Sequence, residues 1–233
     1  MRPGVRACTG RCCPQLAPKP AHLSFAEAAA LPLAGLTAYR ATRRGRLRPG
    51  EALLLPGIGS GVQTMALMFA RHLGARVAVT SSSPDKLARA QALGAAFGIS
   101  HREPDWEKRL VKDFGAPDLV IDGAGGETLA RCLAAVRPGG RMVCYGASAG
   151  PMTLELTRVF WKQVDILGST MGSPADFREM VALVGAGLLR PTVDAVLPLE
   201  QAAQALARME RGDHQGKIVL SIGNRGAEAA LAT

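Results

Sequence analysis

From Ser24 onward, short apolar runs alternate with amphipathic stretches of about ten residues. Ser24 followed by Glu27 has the capping-box spacing and predicts a helix through Ala28–Leu31. After Pro32 a second helix is expected from Leu36 to Arg44. Glu51–Leu55 is an apolar run ending at Pro56-Gly57, the pattern of a buried strand. Val62, Met65, Ala66, Phe69, Ala70 and Leu73 recur at three- and four-residue spacing, a helix stopped by Gly74. Strands then follow at Arg76–Thr80, Phe97–Ile99, Asp118–Asp122 and Arg141–Tyr145. The helices between them are Pro84–Leu93, Trp106–Phe114 and Glu127–Val136.

Apolar strands separated by helices predict a parallel sheet covered on both faces. With right-handed crossovers this is a doubly wound, Rossmann-type α/β fold. After Gly150 the rhythm changes. Strands are expected at Val164–Ser169, Thr192–Leu197 and Lys217–Ser221, with helices at Asp176–Gly185 and Leu199–Arg211. The expected organisation is an irregular basic segment over 1–23 and a dinucleotide-binding domain over 24–190. C-terminal strands and a helix would fill 191–222, with a flexible tail over 223–233.

Composition narrows the class. Of the 233 residues, 48% are hydrophobic but only 4% aromatic, so the core must be aliphatic. The 27 glycines follow no triplet period, which excludes a collagen-like chain. No run approaches the ~18 apolar residues of a membrane-spanning helix, so no membrane partner is expected. Five cysteines are too few for a disulfide framework, and a reducing cytoplasm is the expected location. Cys8, Cys12 and Cys13 have the wrong spacing for a zinc site, so no metal is expected. Cys132 and Cys144, in apolar segments, are expected in the core.

The net charge of +9 is concentrated at the start. Residues 1–50 carry nine basic side chains against Glu27 alone, +8, which leaves the rest near neutral. A nucleic-acid surface needs stacking aromatics, and this segment has only Phe25 and Tyr39. The Arg40–Arg48 run is expected to be a solvated helix end and loop, with no nucleic-acid partner. Residues 1–20 are acid-free and Arg-bearing, but Pro3, Pro14, Pro18 and Pro20 preclude the helix of a transit peptide.

The chemistry centres on Leu53-Leu54-Leu55-Pro56-Gly57-Ile58-Gly59-Ser60-Gly61-Val62, a strand passing through glycines into a helix. Such glycines let the backbone turn sharply and approach a diphosphate seated on the helix N-terminus. The sixth position counted from Gly57 is Val62, so the G-x-G-x-x-G fingerprint is imperfect. G-x-G-x-G is also a methyltransferase signature. S-adenosylmethionine, however, calls for a carboxylate after the second strand, and Ser81 stands there. An NAD enzyme likewise presents Asp or Glu to the ribose about 20 residues after the glycines. Thr80-Ser81-Ser82-Ser83, with Lys86 and His101-Arg102 nearby, is hydroxyl-rich and basic instead. That environment suits a 2′-phosphate and favours NADPH over NADH.

Several motifs in the same order resemble the medium-chain dehydrogenase/reductase superfamily, especially its quinone reductase and zinc-type alcohol dehydrogenase members. They are Leu31-Pro32-Leu33 with Gly35-Leu36-Thr37-Ala38-Tyr39-Arg40, then Leu93-Gly94-Ala95, Gly125-Gly126-Glu127-Thr128-Leu129 and Arg137-Pro138-Gly139-Gly140-Arg141. Ile166-Leu167-Gly168-Ser169 and His214-Gln215-Gly216-Lys217-Ile218-Val219 complete the series. The resemblance implies that Gly57, Gly59, Ser60, Gly61 and Val62 hold the diphosphate. Ser81, Ser82, Lys86 and His101 would surround the 2′-phosphate. Thr37 and the Gly146-Ala147-Ser148 turn would flank the nicotinamide, with Ser169-Thr170-Met171 on its other side. Hydride transfer to a quinone, enone or carbonyl is the implied reaction, and a catalytically silent nucleotide-binding module is the alternative.

Two departures qualify the resemblance. Gln63 stands where the family has its last glycine, so a side chain enters the helix–strand contact. The family also carries a barrel-like domain ahead of the helix at Ser24, and the 23 residues here do not resemble it. Turnover by a chain without that domain is expected to be impaired. The 192–197 and 217–221 strands and the first helix would then expose apolar surface. A homodimer is expected through the strand near Val164–Ser169, an edge strand in the family. No catalytic acid is assignable, since neither Tyr39 nor Tyr145 has a Lys four residues later.

Overall fold

The computed structural model describes residues 16–222. Helix α1 spans Phe25–Ala30, capped as expected: the Ser24 hydroxyl accepts from the Glu27 N–H while the Glu27 carboxylate accepts from the Ser24 N–H. Helix α2, Pro32–Arg44, begins four residues earlier than the apolar pattern indicated. Pro32 sits in its first turn, where the missing N–H is no loss and the fixed φ favours entry.

The sheet then builds in sequence: β1 Ala52–Leu55, α3 Gly61–His72, β2 Arg76–Ser81, α4 Pro84–Ala92 and β3 Phe97–Ser100. Next come α5 Trp106–Asp113, β4 Leu119–Asp122, α6 Gly126–Ala135, β5 Arg141–Cys144, α7 Leu156–Lys162 and β6 Asp165–Gly168. All six strands are parallel, in the order β3-β2-β1-β4-β5-β6. The chain winds outward from β1 to β3, then returns to lay β4 on the other side of β1. The crevice beyond the C-terminal ends of β1 and β4 is therefore the topological switch point, where ligands of such sheets bind.

Strand alternation divides the core. Leu53, Leu55, Leu119 and Ile121 pack with Phe69, Ala38 and Met180 on the face covered by α2, α3 and α8 (Pro174–Leu183). Leu54 and Val120 pack with Trp106, Leu110 and Leu133 on the α5–α6 face. Both faces are covered, so every residue of β1 and β4 is buried, which is why they read as unbroken apolar runs.

Helix α7 was not foreseen. Its Leu156, Phe160 and Trp161 face outward, so it has no buried stripe to produce a periodic signal. The Lys162 ammonium fastens its end to α6, donating to the carbonyls of Leu133, Ala134 and Val136 at 2.6–3.2 Å. The arginine run also does more than meet water. Arg40 and Arg43 pair with Asp176 and Glu179 of α8, Arg46 pairs with Asp165, and the Arg44 Nε donates to the Gly168 carbonyl.

The C-terminal region forms its own sheet. Strands β7 (Val193–Pro198) and β8 (Lys217–Ser221) pair in parallel, joined by a short 3-10 turn and α9 (Ala202–Glu210). Helix α1 lies against both strands. Their edges toward each other are thus satisfied and α1 lies on one face, while both strands stay half-buried and their outer edges pair with no other strand among the described residues. Phe25, 84% exposed, still projects outward from α1.

Candidate functional site

The β1–α3 turn carries the site. Gly57 (φ +70) and Gly59 (φ +119) occupy left-handed conformations that side chains resist, so the loop can fold back above the sheet. A Cβ at Gly57 would meet open space, as expected of a cradle that receives a ligand. Thr80, at the end of β2, fixes the turn from below: its hydroxyl accepts from the Gly57 N–H and its carbonyl from the Ile58 N–H. Ser60 caps α3, its hydroxyl accepting from the Gln63 N–H. The first turn of α3 therefore presents its positive dipole end toward the switch-point crevice.

The Gln63 departure is accommodated. Its amide donates to the Ile121 carbonyl at 2.9 Å across the α3–β4 contact, leaving Oε1 buried with no partner among the described residues. Val62 is half-buried beside it.

The basic flank is assembled from three places. Ser81 is buried at the end of β2, and its hydroxyl accepts from the Ser83 N–H. Ser82 follows in the turn, and Ser83 caps α4. His101 reaches back from the end of β3 to place Nδ1 3.5 Å from the Thr80 hydroxyl. Burial, then the Arg102 and Arg131 charges, lower its pKa. Lys86 lies with its stem against Gly59 while its ammonium donates to the Gly212 carbonyl at 2.6 Å. The loop after α9 thus crosses the phosphate-type turn. Gly216 donates to the Gly59 carbonyl at 2.8 Å, and the stem of Lys217 covers Gly61. Lys217 belonged to a recognised motif but had no assigned role, because only the fold brings it over residue 61.

The opposite flank is formed by loops at the ends of β4, β5 and β6. The Ser148 N–H and hydroxyl both donate to the Gly123 carbonyl, seating the exposed Gly146-Ala147-Ser148 turn on the loop after β4. Asp122 organises that loop by accepting from the Gly125 N–H at 2.7 Å. Burial raises its pKa despite the N–H groups of Gly125 and Ala124. The N–H of Ser169 is held by the Cys144 carbonyl at 2.9 Å, while its buried hydroxyl has no partner among the described residues. Thr170 and Met171 are exposed, and the Thr37 hydroxyl lies 3.8 Å from the Met171 sulfur. Thr37, Ser169 and Met171 are therefore brought to the same end of the sheet.

Tyr145 carried no assignment. Its ring lies over Gly123, where a Cβ would stand only 2.4 Å from it, so glycine is required there for close approach. Burial and then the Asp122 carboxylate push the phenol far above its usual pKa, with the nearby Ser60 hydroxyl opposing the rise. Tyr145 thereby bridges the β4 loop and the glycine-rich turn.

Among the described residues no group of three or more His, Cys, Asp or Glu side chains could hold a metal ion, and no helix is long and apolar enough to cross a membrane. Cys8, Cys12 and Cys13 lie outside the described residues. Cys132 is buried as expected and Cys144 partly so.

Comparison with known proteins agrees with this geometry. The family described as zinc-binding dehydrogenase matches residues 61–186. The zinc-type alcohol dehydrogenase-like protein YogA of Leptosphaeria maculans is 36% identical over 215 residues, covering 87% of this chain and 60% of that protein. A solved NAD-dependent alcohol dehydrogenase superposes with a TM-score of 0.85 at 42% identity, covering 90% of this chain and 62% of that one. The 2-octenoyl-CoA carboxylase reductase CinF, solved with NADP and 2-octenoyl-CoA, gives a TM-score of 0.86 at 28% identity, covering 91% and 54%. The chain spans about 60% of the length of the curated relatives it matches.

Proposed function

Because the chain belongs to the zinc-binding dehydrogenase family, within the medium-chain dehydrogenase/reductase superfamily, we propose that it binds NADPH in the switch-point crevice for reduction of a quinone, enone or carbonyl. The carrying observation is the glycine turn at the switch point with Ser81, not a carboxylate, closing β2. The cradle fits a dinucleotide: open space at Gly57, a helix N-terminus behind it, and an orphaned buried hydroxyl at Ser169 just past the end of β6. When bound, NADPH supplies the hydride; the protein's part is binding, orientation and exclusion of water.

Gly57, Gly59, Ser60, Gly61 and Val62 hold the diphosphate, with Lys217 adding positive charge from outside the turn. Ser81, Ser82, Lys86 and His101 receive the 2′-phosphate. For this, the Lys86 ammonium leaves the Gly212 carbonyl, a short movement of a flexible side chain. Thr37, Gly146, Ala147, Ser148, Ser169, Thr170 and Met171 border the nicotinamide end. A small-molecule substrate enters from the nicotinamide side, and the chain works as a homodimer through the β6 edge.

Titration with NADPH and NADH beside a turnover assay on quinones, enones and aldehydes tests this reading. Preferential NADPH binding with cofactor oxidation is expected. Preferential binding of NADH refutes the cofactor assignment, and NADPH binding without oxidation of any acceptor leaves a nucleotide-binding module.

A further inference from the structure

A second cavity lies at the other end of the sheet. Its volume is about 600 Å³, within the range of small-molecule sites. It opens between the last turns of α2, α3 and α8, separated from the glycine-rich turn by the length of α3, about 18 Å. None of the residues assigned to the dinucleotide lines it.

The chemistry of the lining is two-sided. Leu47, Phe69, Leu73 and Leu183 form an apolar wall. Leu73 is 39% exposed, so that wall is open to solvent. Facing it, Arg43, Arg46 and His72 stand against a single acid, Glu179. Glu179 is already engaged, accepting from the Tyr39 hydroxyl at 3.0 Å and from Arg43. Among the described residues Arg43 uses only Nη1, for Tyr39 and Glu179, and Arg46 only Nη2, for Asp165. A guanidinium has five N–H donors, so both retain donors for another acceptor. Tyr39 and Phe69 meet edge to face, 5.7 Å between ring centres, and the Arg43 guanidinium lies 5.8 Å from the centre of the Tyr39 ring. The polar rim is thus fixed against the apolar wall before any ligand arrives.

We propose that this cavity is a binding site for a small amphipathic carboxylate, an aliphatic or aromatic body with one acid group. The body lies on Leu47, Phe69, Leu73 and Leu183, and the carboxylate takes the spare donors of Arg43 and Arg46. A cation finds no free acid there, because Glu179 is spent on Arg43 and Tyr39. An uncharged ligand gains the apolar contact without the charge-assisted hydrogen bonds. The site is independent of the nucleotide reading, since it shares no residue with the crevice.

Isothermal titration of the purified chain with octanoate, octanol and octylammonium tests the proposal. Octanoate is expected to bind saturably, about fivefold or more tighter than octanol, with octylammonium not binding. Arg43→Gln should weaken octanoate about fivefold, whereas Glu179→Gln, which frees Arg43 and removes a like charge, should tighten it about threefold. Circular dichroism and an unchanged NADPH titration check that both variants remain folded. Opposite responses from these paired residues support a carboxylate site, because simple loss of a structural ion pair would affect both variants alike. No saturable octanoate binding overturns the proposal, as does equal binding of octylammonium. Octanoate binding indifferent to both substitutions places the ligand elsewhere and also overturns it.

Discussion

The six-stranded sheet and the β7–β8 pair are both parallel and both built from apolar runs, yet they are buried very differently. Every residue of β1 and β4 is buried, with Leu53, Leu54, Leu55, Leu119, Val120 and Ile121 at 0% exposure. Every residue of β8, and of β7 up to Leu197, is only half-buried. The difference lies in what packs on each face. The large sheet has helices on both sides, whereas the small one has α1 and α9 and little else. The two meet where the Gly212–Lys217 loop crosses the glycine-rich turn, so the less buried unit touches the site that the more buried one creates.

Core truncation gives the largest expected contrast. Leu54→Ala should destabilise the chain by about 2–5 kcal/mol through lost burial and a residual cavity. Val196→Ala in β7 should cost about 1 kcal/mol or less, since half-buried methyl groups have less to lose. Chemical denaturation measures both, and comparable losses would mean that the two sheets are equally packed.

At the crest of the large sheet, Gly123→Ala forces a methyl group into the Tyr145 ring and should cost about 1–3 kcal/mol. It should also weaken NADPH binding by moving the ring off the glycine-rich turn. Adding Tyr145→Ala should restore much of the stability, which a thermal-melt double-mutant cycle would reveal. Strictly additive losses would show that the ring and Gly123 are not coupled.

The seam between the units is probed by Lys86→Ala. Loss of one charge-assisted contact should weaken NADPH by about 1.5–3 kcal/mol while leaving NADH nearly unchanged, as read by fluorescence titration. Equal weakening of both cofactors would locate the 2′-phosphate pocket elsewhere.

A smaller effect should appear at the base of the large sheet. Burial pushes the Asp118 carboxyl up, but the Ala52 N–H and the Arg137 guanidinium outweigh it and hold the pKa below the usual carboxylate value. A carboxyl depressed in the folded state stabilises above its unfolded pKa, and that contribution is lost as pH falls through the folded value. Denaturation below about pH 4 should therefore be less pH-dependent in Asp118→Asn than in the parent. An identical acid limb in the two proteins would remove Asp118 from the account.

The smallest stability change is expected at the outer edge. Trp161 is 80% exposed on α7, and Ile166 is 38% exposed on β6, which ends the sheet. Trp161→Ser with Ile166→Lys should alter stability by about 0.5 kcal/mol or less per site. Sedimentation velocity should nevertheless shift from dimer to monomer, and an unchanged oligomer would exclude this edge as the interface.

Much of the large sheet was legible because its signals are local. Gly74 and Gly94 close helices α3 and α4, Ser24 and Ser83 cap α1 and α4, and continuous apolar runs mark β1 and β4. The glycine turn was legible for the same reason, since positive φ at Gly57 and Gly59 is a demand placed on single residues. Helix α7 escaped because most of its apolar side chains, Leu156, Phe160 and Trp161, face outward, and periodicity reports burial rather than helicity.

The order of elements, the capping residues and the turn that can cradle a diphosphate were therefore set by the sequence itself, because each depends on residues adjacent along the chain. Which side of β1 receives β4, and hence where the crevice opens, depended on packing. So did the Tyr145 ring over Gly123, Lys217 over Gly61, and the cavity between α2, α3 and α8. Those contacts join residues separated by 22 to more than 100 positions, and no local propensity encodes them. They arise because helices with one apolar face must bury it somewhere, and the sheet offers only two faces on which to do so.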